Sequence, residues 1–287
     1  MALNPFFKAQ VQQAHNNKVK IPKRYKQWLY PHTAERDYQR KLNSLFDKLI
    51  DITEVNLYPI LDNLVSEVKA QRPDSLEIKT DSYFLNLLTA ILAKISKQYN
   101  DTLDQIDIDN LAQQQASQIS AFNKLQFAQV IFSATKVNPI INEPYLVTQS
   151  QIFTRNNVNL IKSLSQDQLK RVEEIVNRNL LLGNGVAEIK QELSKTFRIT
   201  KNRAKLIARD QTSKFNGNLT QLRSQELGID SYRWSGVLDP RERLSHLANE
   251  GKIYYWNKPP ANTGHPGHQI NCRCIAQPII TIEMFLQ

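Results

Sequence analysis

Leu238-Asp239-Pro240-Arg241-Glu242-Arg243-Leu244-Ser245-His246 begins, and Gly264-His265-Pro266-Gly267-His268-Gln269-Ile270-Asn271-Cys272-Arg273-Cys274 ends, the stretch around which the chain is organised. Glu250-Gly251-Lys252-Ile253-Tyr254-Tyr255-Trp256 lies between them. Both cysteines of the chain and three of its five histidines fall between His246 and Cys274. Residues 229–234, 252–256 and 273–282 are rich in aromatic residues and isoleucine, which predicts three strands. Residues 240–247 fit one or two helical turns between the first two.

Immediately upstream the period is helical. Ala204, Ala208, Gln211, Phe215, Leu219 and Leu222 form one stripe, predicting a long helix over about 200–226 that Gly228 ends. The C-terminal part is therefore expected to be α+β: a small antiparallel sheet packed on a long helix. Further back, Ser165-Gln166-Asp167-Gln168 has the pattern of a capping box. It predicts a helix through Leu169, Val172, Val176 and Leu180, ended at Gly183-Asn184-Gly185 and followed by a short helix over 186–197. Tyr38, Leu42, Leu45 and Leu49, and then Leu85, Leu88, Leu92 and Ile95, fall at helical spacing, with a break or kink expected at Pro59. Residues 101–136 are rich in Gln and Asn but keep Ile106, Leu111, Ile119, Phe122 and Ile131, so helices are expected there too. Residues 1–34, interrupted by Pro5, Pro22 and Pro31, read as an irregular arm whose basic run interleaves with Trp28 and Tyr30. The expected division is an arm over 1–34, a helical region over 35–150 and an α+β domain over 151–287.

The formal charge of +10 is uneven. Residues 1–150 hold 17 Lys and Arg against 15 Asp and Glu, and residues 151–287 hold 20 against 12. Such an excess favours nucleic acid or an acidic protein partner, or is a solvated basic face. Lys195, Arg198, Lys201, Arg203, Lys205 and Arg209 concentrate it at the start of the predicted long helix, where the macrodipole disfavours cations. DNA phosphates or acidic protein side chains are the anions expected to meet them. No run approaches the roughly 20 apolar residues of a membrane span, and no signal-peptide pattern opens the sequence. Synthesis in the cytoplasm, with no membrane partner, is the expectation.

Three readings of the His and Cys cluster stand side by side. Zn2+ is held by Cys272 and Cys274 with two of His246, His265 and His268, since thiolate and imidazole suit tetrahedral zinc. Alternatively the cluster is a metal-free lock, in which Asp239 pairs with Arg241, Arg243 or Arg273 and the thiols are small buried groups. In the third reading a thiol or a zinc-bound water is a nucleophile, with His246 as base and Asp239 orienting it. No nucleophile elbow and no helical His-Glu-x-x-His supports that last reading, so a non-enzymatic chain is expected.

The ordered motifs from Ala204 to Pro278 resemble the phage head morphogenesis family, the minor head proteins typified by the F protein of phage Mu. They are Ala208-Arg209-Asp210-Gln211-Thr212, Asn216-Gly217, Gly228-Ile229, Tyr232-Arg233-Trp234, Leu238 through His246, Glu250-Gly251, His265-Pro266, and Asn271-Cys272-Arg273-Cys274. Residues 157–163 resemble the family further upstream. Glu242, where the family often has Thr, and Asp210, where it often has Glu, depart from the pattern. The resemblance implies a minor virion component, inside the head near the portal. It implies action in head morphogenesis and in DNA packaging or ejection, with the portal protein, packaged double-stranded DNA and other head proteins as partners. The alternative is a zinc-dependent hydrolase acting on nucleic acid or peptidoglycan.

Overall fold

The computed structural model describes residues 4–17, 26–70, 83–280 and 283–286. Of the basic run, Lys18, Lys20, Lys23 and Arg24 lie outside the described residues. The chain is α+β and mostly helical, with one small antiparallel sheet, as its periodicities imply. The elements in order are α1 (Pro5–Asn16), α2 (His32–Ala70), α3 (Tyr83–Ile106), α4 (Ile108–Thr135), α5 (Leu146–Leu182), α6 (Val186–Glu226), β1 (Ser231–Ser235), α7 (Leu244–Leu247), β2 (Ile253–Tyr255), β3 (Ile275–Pro278) and α8 (Glu283–Leu286). Among the described residues no helix is long and apolar enough to cross a membrane.

Four local expectations are corrected. Residues 5–16 are helical rather than irregular: Asn4 caps the helix by accepting from the Phe6 and Phe7 amides, each at 3.1 Å. Pro5 stands at the first helical position, where its missing N–H costs nothing and its fixed φ helps. α2 is not broken at Pro59 but runs on through it. Val55, whose carbonyl loses its partner, and Pro59 are both exposed, while Leu57, Leu61 and Leu64 are buried. The third correction concerns Ser165, which caps nothing: α5 is continuous, and the Ser165 hydroxyl donates back to the Ile161 carbonyl at 2.9 Å. Burial of Ile161, Leu164, Val172 and Val176 on both sides carries the helix across. Lastly, α6 begins at Val186, with Glu188 in its first turn. The six cations from Lys195 to Arg209 therefore lie inside the helix, not at its start. Ile189, Leu193, Phe197, Ala204 and Ala208 are one continuous buried stripe.

Two helices, α5 and α6, end where glycine permits a left-handed turn. At Gly228, with φ +79°, the Gly228 amide donates to Gln225 and the Ile229 amide to Ser224, which closes α6 as a Schellman motif. Gly183 ends α5 by the same pair of bonds, to Leu180 and from Asn184 to Asn179.

The residues divide into two compact units. One comprises Tyr38–Ala112 and Arg155–Ile207, and its regular elements among the described residues are all helices. Its core takes Tyr38, Leu42, Leu49 and Leu61 from α2, Leu92 and Ile95 from α3, Ile161 and Val176 from α5, and Leu193 from α6. The buried Tyr99 hydroxyl lies 2.5 Å from Thr53 Oγ1 and accepts from Gln168 Nε2 at 2.6 Å.

The other unit comprises Met1–Asp37, Gln113–Thr154 and Ala208–Gln287, and it holds the sheet. β1 is central, antiparallel to β2 on one side and β3 on the other. Tyr232 pairs with Tyr254 and Pro278, and Trp234 with Ala276. Tyr232 and Trp234 share one face of β1 and form a core with Trp256, Cys272, Cys274 and Ala276, while Arg233 on the other face is exposed. α6 lies beside β3: Ser213, Asn216, Gly217 and Thr220 line a small cavity with Cys274, Ile275 and Ala276. Trp28 and Tyr30, which follow the basic run in sequence, are buried. Gln126 clamps the backbone there, its Oε1 accepting from the Leu29 amide at 2.6 Å and its Nε2 donating to the Leu29 carbonyl at 2.9 Å.

Arg223 is wholly buried in this unit. It forms an ion pair with Glu143 and donates to Asn123 Oδ1, the Ser120 carbonyl and the Ser120 hydroxyl. Arg223→Ala strands a buried carboxylate and three acceptors, so it should lower stability by about 3–5 kcal/mol. Urea unfolding measures this, and a loss below about 1 kcal/mol would mean that Lys124 alone satisfies Glu143.

Candidate functional site

Residues 272–280 alternate strictly between buried and half-buried, so Cys272, Cys274 and Ala276 fall on the same, inward side of the chain as it enters β3. α7 brings His246 to the two thiols. Its Nδ1 lies 3.6 Å from Cys272 Sγ and 3.4 Å from Cys274 Sγ, and all three ligand atoms lie within 4.8 Å of one another. All three residues are buried. Zinc bonds of about 2.3 Å to sulfur and 2.0–2.1 Å to nitrogen, at the tetrahedral angle, put S and N about 3.5–3.6 Å apart. The cluster therefore has the donor set and spacing of three corners of a zinc site.

The surroundings fix the donors. His246 Nε2 lies 2.8 Å from Gln269 Oε1, which can only accept, so Nε2 carries the proton and Nδ1 offers its lone pair to the thiols. The His246 ring packs edge-on against Trp234 at 5.4 Å. Cys272 Sγ accepts from the Gly267 amide at 3.3 Å and the Cys274 amide at 3.4 Å. Cys272 is pulled down to about 6, chiefly by the Cys274 side chain that hydrogen-bonds to it. Cys274 is pushed up by that same bond, by burial and by the Glu242 carboxylate, whose Oε1 is 3.3 Å away.

His265 and His268 are not brought to the thiols. His265 Nδ1 lies 2.9 Å from the Tyr232 hydroxyl, and its ring packs against Trp256 at 5.4 Å and His268 at 5.2 Å. Burial first, then the neighbouring His268, pushes His265 down to about 4.

The polar network forms around Asp239, which meets Arg273 at 2.5 Å and Arg241 at 3.0 Å and also accepts from the Arg241 amide. Arg273 and then Arg241 hold its carboxyl down to about 2. Arg243 turns elsewhere, to the Ile270 carbonyl at 2.9 Å and to Gln269 Oε1 at 3.3 Å. Arg241, Arg243, Arg273 and Glu242 line a cleft of about 200 Å³ beside His246, Cys272 and Cys274.

Of the six cations on α6, three are answered within the chain. Lys201 pairs with Asp47 at 2.5 Å and Arg203 with Asp167 at 3.0 Å. Arg209 pairs with the buried Glu35 at 3.1 Å and donates to Asn271 Oδ1 at 3.0 Å. Lys195, Arg198 and Lys205 are exposed, with no acid within 4 Å among the described residues. The sequence reading missed Gln269 and Glu242. Glu242 is four residues before His246, a spacing that sets two side chains on one face of a helical turn and was the only available signal.

Residues 170–277 match the family described as Phage Mu protein F like protein. An uncharacterized protein of Haemophilus influenzae is 31% identical over 214 residues, 73% of this chain and 48% of its own length, so the chain spans about half of that relative. The minor head protein GP7 of Bacillus phage SPP1 is 21% identical over 276 residues, 84% of this chain and 86% of its own. No solved structure matches the chain. Residues 170–277 thus resemble the Phage Mu F-like family, and the chain as a whole resembles a phage minor head protein, as the ordered motifs imply.

The depressed His265 has a consequence for pH. Its folded value lies below its unfolded value of 6.5, so its contribution is present above 6.5 and is lost as pH falls toward 4. Thermal midpoints should drop across that window in the parent and drop less steeply in His265→Phe. Parallel profiles would show that the imidazole does not carry the effect.

Proposed function

We propose that the chain acts in head morphogenesis of a tailed bacteriophage, as a virion component inside the head near the portal. The observation that carries this is the family match over residues 170–277, joined to a likeness to the SPP1 minor head protein over most of both lengths. Its partners in this reading are the portal protein, other head proteins and packaged double-stranded DNA, and its action extends to DNA packaging or ejection. Within it, His246, Cys272 and Cys274 hold a structural zinc ion that fastens α7 to the start of β3.

The primary test is assembly. Heads produced without the chain should form in lower yield or hold less DNA, and tagged chain should purify with normal heads. Heads of normal yield, DNA content and infectivity made without it would overturn the reading.

DNA contact in this reading falls to Lys195, Arg198 and Lys205. Their spacing of i, i+3 and i+10 puts them on one helical face, and all three are exposed. Each phosphate neutralised contributes about −0.9 to the log–log slope of affinity against salt. Replacing all three by Ala should weaken binding to duplex DNA and flatten that slope by about 2–3. An unchanged slope would leave the face solvated or assign it to an acidic protein surface.

A further inference from the structure

We infer that Glu242 is the fourth ligand of the metal centre, closing a Cys272, Cys274, His246 and Glu242 site; this rests on the zinc reading above. Its Oε1 stands 3.3 Å from Cys274 Sγ, near the edge length expected between sulfur and oxygen on one tetrahedral zinc. Its other oxygen accepts from the Leu238 amide at 2.6 Å. One oxygen anchored by backbone and the other aimed at the cluster is how a monodentate carboxylate ligand is held, just as Gln269 holds His246.

The backbone makes room for this carboxylate. A Cβ on Gly236 would lie 2.1 Å from Glu242 Oε1 and 2.8 Å from its Cδ, so the carboxylate occupies the space any side chain at 236 would fill. Gly236 is not among the residues with positive φ. An alanine there would meet the Glu242 carboxylate without backbone strain.

Charge argues the same way. The Glu242 carboxylate stands beside one of two neighbouring thiols, Cys274, while the nearby guanidinium groups are engaged elsewhere: Arg241 and Arg273 with Asp239, and Arg243 with Ile270 and Gln269. A divalent cation supplies the missing positive charge as the thiol protons leave to solvent. Glu242 also lines the cleft beside the centre. With Glu242 bound, the centre has no open position, which makes it structural rather than hydrolytic.

The test uses the full chain with Zn2+ and Co2+. The parent should bind one ion per chain, and its cobalt form should have a four-coordinate thiolate spectrum that added cyanide leaves unchanged. Altering a residue that merely orients a ligand costs 10–100-fold in affinity, so losing a ligand in Glu242→Ala should cost at least about tenfold, and the cobalt spectrum should change. Gly236→Ala, which keeps every donor, should weaken binding in the same direction. If the parent binds metal but both variants keep its affinity and cobalt spectrum, the Glu242 assignment fails and the three-ligand zinc reading stands. Should Glu242→Ala not fold, a parent cobalt spectrum that shifts with cyanide overturns the assignment by itself. Absence of metal binding by the parent, with Cys272→Ser as stable as the parent, overturns the zinc reading and the assignment together.

Discussion

The backbone of the 265–268 loop lies directly on α6, and this close approach governs the C-terminal unit. A Cβ on Gly217 would stand 3.0 Å from the Pro266 carbonyl oxygen, and one on Gly267 would stand 2.9 Å from the Ser213 carbonyl oxygen. Two chain segments therefore touch where neither has a side chain. The seat positions the Gly267 amide, which donates to Cys272 Sγ, and sets His265 against Tyr232. Arg209, two turns before Gly217 on the same helix, ties the far end of the loop through Asn271 and is itself held by Glu35. The motif residues of α6 and those of the 265–274 stretch, 48 or more positions apart in sequence, are thus the two halves of one contact.

The sheet and its thiols were legible because their pattern is local. Alternation of Tyr232 and Trp234 with Arg233, and of Cys272, Cys274 and Ala276 with their neighbours, fixes which side faces inward. Helix junctions were harder. Ser165-Gln166-Asp167-Gln168 has the composition of a cap, yet both Ser165 and Gln168 are buried inside a continuous helix. A capping box describes what the residues can do if the helix starts there, and flanking apolar burial decides whether it does. The α6 cations misled for a related reason: placing the helix start at about 200 made them look unfavourable, whereas in α6 Lys201 and Arg203 meet Asp47 and Asp167 from distant sequence. Glu242 was passed over as a departure from a family pattern, since nothing in the sequence told of the space left at Gly236.

α4 explains how a helix so rich in Gln and Asn is stable. Gln115, Ser120, Asn123 and Gln126 are all buried. Gln115 donates to the Ala34 carbonyl, Asn123 to the Asn216 side chain and the Thr220 hydroxyl, and Gln126 clamps Leu29. Each interaction replaces water with a partner fixed by the fold, so the amides specify register where an apolar stripe would only specify a face. It is also why hydrophobic periodicity reveals little about the partners of this helix.

Charge sorting is what separates the cysteine cluster from the arginines beside it. Asp239 accepts from Arg273 and Arg241 and so draws two guanidinium groups to the mouth of the cleft. Arg243 is turned to the Ile270 carbonyl, where it braces the chain just before Cys272. The arginines thereby hold the loop's shape without neutralising the thiols. Cys272 and Cys274 lie beside His246 Nδ1, with the Glu242 carboxylate against Cys274. The same sorting that lets Asp239 organise the surface leaves the Glu242 carboxylate beside the Cys274 thiol with no ion pair of its own among the described residues, and that imbalance is the charge argument for the proposed metal.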